Sequence, residues 1–468
     1  MNTFDFDFIV IGGGSAGYAA ASTAARLDLK TAVIDGAREV GGLCILRGCM
    51  PSKTLLESGH RAEAIRAAGE FGLRAEYFGP DGAAIRARKR RLIGEFADYR
   101  RGQLENGPFE FIRGTATFVD PHTLEVPLLD GGLRRVTSRT FLIATGSRIQ
   151  WRDLPGLQET GVWTSDDVLD QERIPESVIV LGGGAIGLEL ASFYHGVGSR
   201  VTVIQRGGQV LKEVDEDVAT AVTEALEARG IEIFRSTALL RAERDGTGKR
   251  IHFTHGGTER SVAAEEIIYA LGRQPNLEGL ALDRAGATIE NCALVADAQQ
   301  RCGAAHLFAA GDVCGPYEVV HIAIQQAEVA TRNAARLLGR LDTPAESMDY
   351  RLALFAVFTH PQVAAVGLTE REARQIEPGI LTAKYGFADH GKSMVRGETH
   401  GFVKLIADGK TRRILGASCV GPEAGELIHE IVVAMHFHAT AGDLARIPHY
   451  HPTLSEIWTY PAEELAET

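Results

Sequence analysis

Short apolar runs that stop at glycine punctuate this chain. Phe8-Ile-Val-Ile11 leads into Gly12-Gly-Gly-Ser-Ala-Gly17, and Val178-Ile-Val-Leu181 leads into Gly182-Gly-Gly-Ala-Ile-Gly187. An unbroken apolar run closed by a turn signal predicts a parallel strand buried on both faces. After each glycine cluster the pattern becomes Ala- and Leu-rich helix, so each repeat predicts the start of a βαβ unit. Second strands are predicted at Thr31–Ile34 and Val201–Ile204. Between the repeats, residues 55–106 read as charged helix, and the run Arg86, Arg88, Lys89, Arg90, Arg91 predicts a solvated face. After residue 345 there is no third glycine cluster. Strands at Phe355–Phe358, Gly401–Ile406 and Ile414–Val420, with an apolar helix at Glu426–Phe437, predict an α+β domain.

The glycine spacing adds chemistry to this pattern. In Gly12-x-Gly14-x-x-Gly17 the first glycine permits a tight turn, the second lets backbone approach a pyrophosphate, and the third lets helix and strand pack closely. Asp35 closes the next strand about 20 residues on, where a ribose-binding carboxylate belongs. Two such fingerprints predict two dinucleotide sites.

Composition narrows the rest. The 468 residues, at roughly 100–200 per domain, predict two to four domains. The 45% hydrophobic share fits a large core, and the net charge of −12 argues against nucleic acid or acidic membranes as partners. Six cysteines are too few for a secreted scaffold of this length. No apolar stretch approaches a membrane span, and the N-terminus lacks a basic leader, so a cytoplasmic location is expected.

Two of those cysteines sit in Gly41-Gly-Leu-Cys44-Ile-Leu-Arg-Gly-Cys49-Met-Pro-Ser-Lys53. At a helix start, cysteines at this spacing come within disulfide distance, and the helix N-terminus favours the thiolate. Arg47, between them, is expected to add to that effect. A metal half-site is the weaker alternative, since no second Cys/His pair has matching spacing. Near the C-terminus His451 precedes Glu456, the pattern of a base with an orienting carboxylate.

With Ala144-Thr-Gly-Ser147, Ala270-Leu-Gly-Arg-Gln-Pro-Asn276, Ala310-Gly-Asp312 and His451-Pro-Thr-Leu-Ser-Glu456, these motifs resemble the class I pyridine nucleotide-disulfide oxidoreductases over nearly the whole chain. The resemblance implies an α/β fold with two Rossmann-like domains, for FAD and NAD(P), and a C-terminal α+β dimerisation domain. It implies an FAD domain in two parts, 1–150 and 272–345, around an NAD(P) domain at 151–271, then the interface domain at 346–468. Cofactor contacts are implied at Gly12, Gly14, Ser15, Ala16, Gly17, Asp35, Gly42, Lys53, Ala116, Thr145, Gly146, Ser147, Asp312 and Val320. For the second nucleotide they are Gly182, Gly184, Ala185, Ile186, Gly187, Gln205, Arg206 and Gly272. The implied catalytic set is Cys49 nearest the flavin, Cys44 as interchange thiol, His451 held by Glu456 from the other subunit of a homodimer, and a Lys53–Glu189 pair on the nicotinamide side. A cis His451–Pro452 bond is also implied. No metal is expected.

The implied substrate is a small disulfide or dithiol. The C-terminal string is most like dihydrolipoamide dehydrogenase, which brings in a protein-borne lipoyl group. Alternatives are a glutathione-reductase-like enzyme, although Ser22 stands where such enzymes carry a glutathione-binding arginine, and a mercuric-reductase-like enzyme, although the C-terminus lacks an extra cysteine pair. Leu43, Leu46 and Arg47 depart from the usual cysteine loop. A nucleotide-binding scaffold without turnover is disfavoured, because both cysteines, His451 and Glu456 are all present. For the coenzyme, the second strand ends in Gln205-Arg206, not an acid; Arg206, and less so Lys212, could pair with a 2′-phosphate. NAD(P)H is expected, with NADPH slightly favoured.

Overall fold

The computed structural model describes residues 4–468. The run that opened the sequence reading, Phe8–Ile11, lies in a central strand, Phe6–Ile11, parallel to Thr31–Asp35 on one side and Leu133–Ile143 on the other. It reads as continuously apolar because both faces are covered. Phe8 and Val10 pack with Ala20, Val33 and Leu142, while Ile9 and Ile11 pack with Ile34, Phe141 and Ile143. The sheet runs Glu110–Arg113, Thr31–Asp35, Phe6–Ile11, Leu133–Ile143, Thr123–Pro127, Thr117–Asp120, with Leu307–Ala309 also parallel to Leu133–Ile143. Helices Ser15–Arg26 and Val320–Leu337 meet through buried alanines, Ala20, Ala24, Ala327 and Ala330, small enough for close approach of two backbones. These elements form one compact unit, made of the chain up to Pro51 with Arg88–Trp151 and Gly272–Asp349.

The other unit comprises Ser52–Ala87, Arg152–Leu271 and Tyr350–Thr468. Residues 52–87, expected inside the 1–150 segment, group here. Its parallel sheet runs Glu232–Phe234, Arg200–Ile204, Ser177–Leu181, Glu266–Tyr269, Trp163–Thr164. A three-stranded antiparallel sheet, Thr237–Asp245, Gly248–His255 and Thr258–Ala264, interrupts the nucleotide fold and was not foreseen. The C-terminal part is a five-stranded antiparallel sheet, ordered Leu354–Val357, Gln362–Gly367, Ile414–Gly421, Phe402–Ala407, Leu381–Gly386. Helix Ala424–His436 packs on it, and the indole N–H of buried Trp458 donates to Leu427 O at 3.1 Å. Buried Lys404 joins the C-terminal sheet to the nucleotide fold, with Nζ 2.7 Å from Asp215 and 3.0 Å from Asp217.

The charged stretch 55–106 is two helices, Cys49–Arg66 and Gly82–Glu105. Its basic run corrects the sequence reading. Arg88, Arg90 and Arg91 are exposed, but Arg86 and Lys89 are buried. Arg86 stacks 5.3 Å from the Phe193 ring and donates through Nε to Gln171 O. The ring face and the carbonyl acceptor offset part of that desolvation.

Candidate active site

Backbone geometry explains both glycine fingerprints. Gly12 has φ of 109°, and a Cβ there would stand 2.4 Å from Ala144 O; a Cβ at Gly17 would stand 1.8 Å from Gly12 O. Helix Ser15–Arg26 begins after Gly14 with no side-chain cap, so its first N–H groups are presented to an anion. Asp35 supports the turn: Oδ2 accepts the Gly13 N–H at 2.9 Å and Oδ1 the Ala37 N–H at 2.7 Å. Each oxygen keeps a second lone pair for a ribose hydroxyl. The second fingerprint repeats the construction. A Cβ at Gly187 would stand 2.1 Å from Gly182 O, helix Ala185–Val197 follows Gly184, and Gln205 Oε1 accepts the Gly183 N–H at 3.0 Å. Ile186 and Arg206 are exposed, and Gly272 holds φ of 120°.

The remaining flavin-type residues assemble around the first turn's unit. Asp312 Oδ2 accepts from Ser147 Oγ at 2.7 Å, and Ser147 Oγ accepts from Arg273 Nε at 2.9 Å. Thr145 donates to Asn276 O at 2.7 Å, Gly146 is left-handed, Ala116 is buried, and Val320 opens helix Val320–Leu337. Gly14 and Gly42 meet backbone to backbone; a Cβ on Gly42 would lie 2.5 Å from Gly14 Cα. A cradle that side chains would fill, a helix N-terminus and two carboxylates fit a dinucleotide such as FAD.

Cys44 lies within the short helix Gly42–Leu46, and Cys49 is the first residue of helix Cys49–Arg66; both are half-buried. Arg47 is engaged elsewhere. Its Nη2 stands 2.6 Å from Glu39, and its Nη1 donates to Leu46 O at 3.0 Å. Lys53, one turn into the long helix, meets Glu189 at 2.8 Å through both carboxylate oxygens. Glu189 Oε1 also accepts the Phe358 N–H at 3.1 Å, and Lys53 Nζ lies 4.8 Å over the Phe358 ring. The two helices touch at glycines, since a Cβ on Gly196 would lie 2.9 Å from Gly59 Cα.

His451 follows the expected pattern. Its Nδ1 stands 3.0 Å from Glu456 Oε2; its ring is 79% exposed while the carboxylate is buried. The His451–Pro452 bond is cis. His449 is tied down, Nε2 to Glu430 at 2.5 Å and Nδ1 to Ile447 O. Sequence reasoning missed His390. It is fully buried on the other side of Glu456, with Nε2 3.4 Å from Oε1 and Nδ1 2.9 Å from Ser393 Oγ. Burial pushes its pKa below the usual range, against the pull of Glu456. A neutral imidazole there places no second cation on the carboxylate that anchors His451.

Two uncapped glycine turns, a cysteine pair at a helix start and a histidine on a buried carboxylate define a flavin- and nicotinamide-linked disulfide oxidoreductase. Residues 6–327 match the pyridine nucleotide-disulphide oxidoreductase family, and residues 355–462 match that family's dimerisation domain. The chain belongs to this family, whose enzymes use FAD and NAD(P)H, and the second match fits a homodimer. It is 35% identical to a dihydrolipoyl dehydrogenase of Thermus scotoductus, over 98% of this chain and 97% of that one. It is 33% identical to a mercuric reductase of Bacillus cereus, over 97% of this chain and 70% of that one. The structure of the Cu(II) complex of the HOCl-induced flavoprotein disulfide reductase RclA from Escherichia coli superposes with a TM-score of 0.85. That match is 27% identical and covers 99% of this chain and 100% of that one. Among the described residues no helix is long and apolar enough to cross a membrane.

Proposed function

We propose that this enzyme passes electrons between NAD(P)H and a dithiol/disulfide substrate through the Cys44–Cys49 pair, with a dihydrolipoamide-type dithiol as the best-supported substrate. The observation that carries the reading is the exposed His451 imidazole anchored on buried Glu456, a proton carrier suited to thiol chemistry. Bound FAD supplies the two-electron exchange with the nicotinamide. The protein's share is to orient and to move protons. Cys44 meets the substrate sulfur as the interchange thiol, Cys49 closes the internal disulfide, and His451 of the partner subunit carries the proton. Lys53 and Glu189 hold the nicotinamide side in register. Arg206, exposed beyond the second strand, receives a 2′-phosphate, so NADPH is accepted with a modest preference over NADH.

Reduction of a thiophilic metal ion is the second reading, favoured by the likeness to a mercuric reductase and by the Cu(II) complex of RclA. Steady-state turnover of lipoamide, glutathione disulfide, Hg(II) and Cu(II) by one preparation separates the two. Turnover of the metal ions but of neither disulfide would overturn the first reading.

A further inference from the structure

Arg100 lies on helix Gly82–Glu105, in the same compact unit as both cysteines. Its guanidinium stacks on the Tyr18 ring at 4.1 Å. Its Nε and Nη1 are buried with no hydrogen-bond partner among the described residues. Arginine does not shed its charge in proteins, and unmet buried donors on a cation are costly. The fork therefore suits an acceptor from outside the described residues, and its planar geometry matches a carboxylate.

Three elements converge on its neighbourhood. Tyr18 sits one turn into helix Ser15–Arg26, its N–H bonded to Gly14 O at 2.9 Å. Gly14 touches Gly42, the first residue of the helix that carries Cys44. Leu104, one turn beyond Arg100, packs against the same turn, 3.3 Å from where a Cβ of Gly13 would lie. Burial lowers the Arg100 pKa, while Tyr18 and Cys44 act in the opposite direction. Arg47, the cation that the sequence placed between the cysteines, is occupied by Glu39.

We propose that Arg100, backed by the Tyr18 ring, is an anion-recognition subsite beside Cys44 that selects low-molecular-weight disulfides carrying a carboxylate. The assignment deepens the reading of Cys44 as the interchange thiol and rests on it. The carboxylate docks on the guanidinium while the Cys44 thiolate attacks one substrate sulfur. A Cys44–substrate disulfide forms and the substrate S–S bond breaks, the leaving thiolate taking a proton. Cys49 then attacks Cys44, releasing the second thiol and oxidising the cysteine pair as the substrate gains two electrons.

The test uses the intact flavoenzyme reduced by NADPH, with two matched probe pairs that differ only in charge. Iodoacetate and iodoacetamide alkylate Cys44 directly; lipoate and lipoamide report turnover. In the wild type both ratios should favour the anion relative to Arg100→Gln by about ten- to a hundredfold, the span of a charge-assisted contact. Arg100→Lys should fall between. Flavin absorbance checks folding, and if Arg100→Gln loses its flavin, the Lys variant alone carries the comparison. Alkylation ratios that do not differ between wild type and variant overturn the subsite. Turnover of both lipoyl compounds with equal ratios in wild type and variant overturns it as well, and leaves the disulfide reading intact. An Arg100-dependent alkylation ratio with no disulfide turned over keeps the subsite and overturns the substrate reading.

Discussion

Lys53→Met should destabilise the enzyme by about 2 kcal/mol. Removing the ammonium leaves Glu189, whose side chain is 6% exposed, with the Phe358 N–H at 3.1 Å as its remaining donor among the described residues. Breaking a fully buried ion pair from one side costs about 3–5 kcal/mol. Lys53 is 32% exposed, so solvent already screens part of the interaction, and roughly half of that range is the appropriate size. Lys53→Met/Glu189→Met removes both charges and restores apolar volume, so it should recover part of the loss. The assay is urea unfolding of the flavoenzyme followed by far-ultraviolet circular dichroism, with all four members of the cycle compared under one condition. A double variant less stable than the sum of the singles, or a Lys53→Met within about 0.5 kcal/mol of wild type, would refute the reasoning. The same variants, mixed rapidly with NADPH, should show slowed flavin reduction, because the pair is assigned to the nicotinamide side.

Four further outcomes are expected. Limited reduction should produce a long-wavelength absorption band that Cys49→Ser abolishes and Cys44→Ser displays without reductant; the opposite behaviour would reverse the two assignments. Arg206→Ala should weaken NADPH use about tenfold more than NADH use, measured as kcat/KM, and a strong NADH preference unmoved by the change would sink the coenzyme reading. Heterodimers of Cys44→Ala and His451→Ala subunits should regain activity, since each mixed dimer keeps one complete site; verified exchange without recovery would count against sharing across the two-fold axis. Burial alone would raise the Glu63 pKa, but hydrogen bonds from His360 and Arg229 outweigh it and bring the carboxyl down to about 2. A depressed carboxylate stabilises the fold above its unfolded pKa of about 4.5 and loses that contribution as pH falls toward 2, so acid should cost wild type up to about 3 kcal/mol more than Glu63→Gln. Parallel acid-unfolding curves would contradict this.

Some of this molecule was legible because its constraints are local. At Gly17 and Gly187 a Cβ would meet the carbonyl of the turn's own first glycine, and those first glycines, Gly12 and Gly182, hold positive φ, so each fingerprint announces a nucleotide fold within a few residues of chain. The His451–Glu456 pairing spans five positions and could be read as spacing. Other features depend on partners distant in sequence. Nothing in the basic run says that Phe193 and Gln171 will cover Arg86, so its burial was unreadable. His390 meets Glu456 only when an antiparallel sheet brings them together, and a lone histidine gave no signal. Arg47 drew attention by its position between the cysteines, yet it is engaged by Glu39, while Arg100, more than fifty residues away, stacks on Tyr18 beside the first turn. The three antiparallel strands at Thr237–Ala264 were missed although their turns, Gly246-Thr247 and Gly256-Gly257, carry a hairpin signal.

The Gln205 amide has a consequence for how this lineage can change coenzymes. Its oxygen is committed to the Gly183 N–H and its nitrogen donates to Gln209 O, so the group cannot flip without losing both bonds. In the flavin-type half, the carboxylate of Asp35 performs the same service for Gly13. Turn support therefore requires only an acceptor oxygen, whereas repulsion of a 2′-phosphate requires a formal negative charge. The two demands come apart at one atom. Gln205→Glu keeps the oxygen that braces the turn and exchanges the donor to Gln209 O for a charge, so coenzyme preference can shift at the cost of that one bond while the turn keeps its brace.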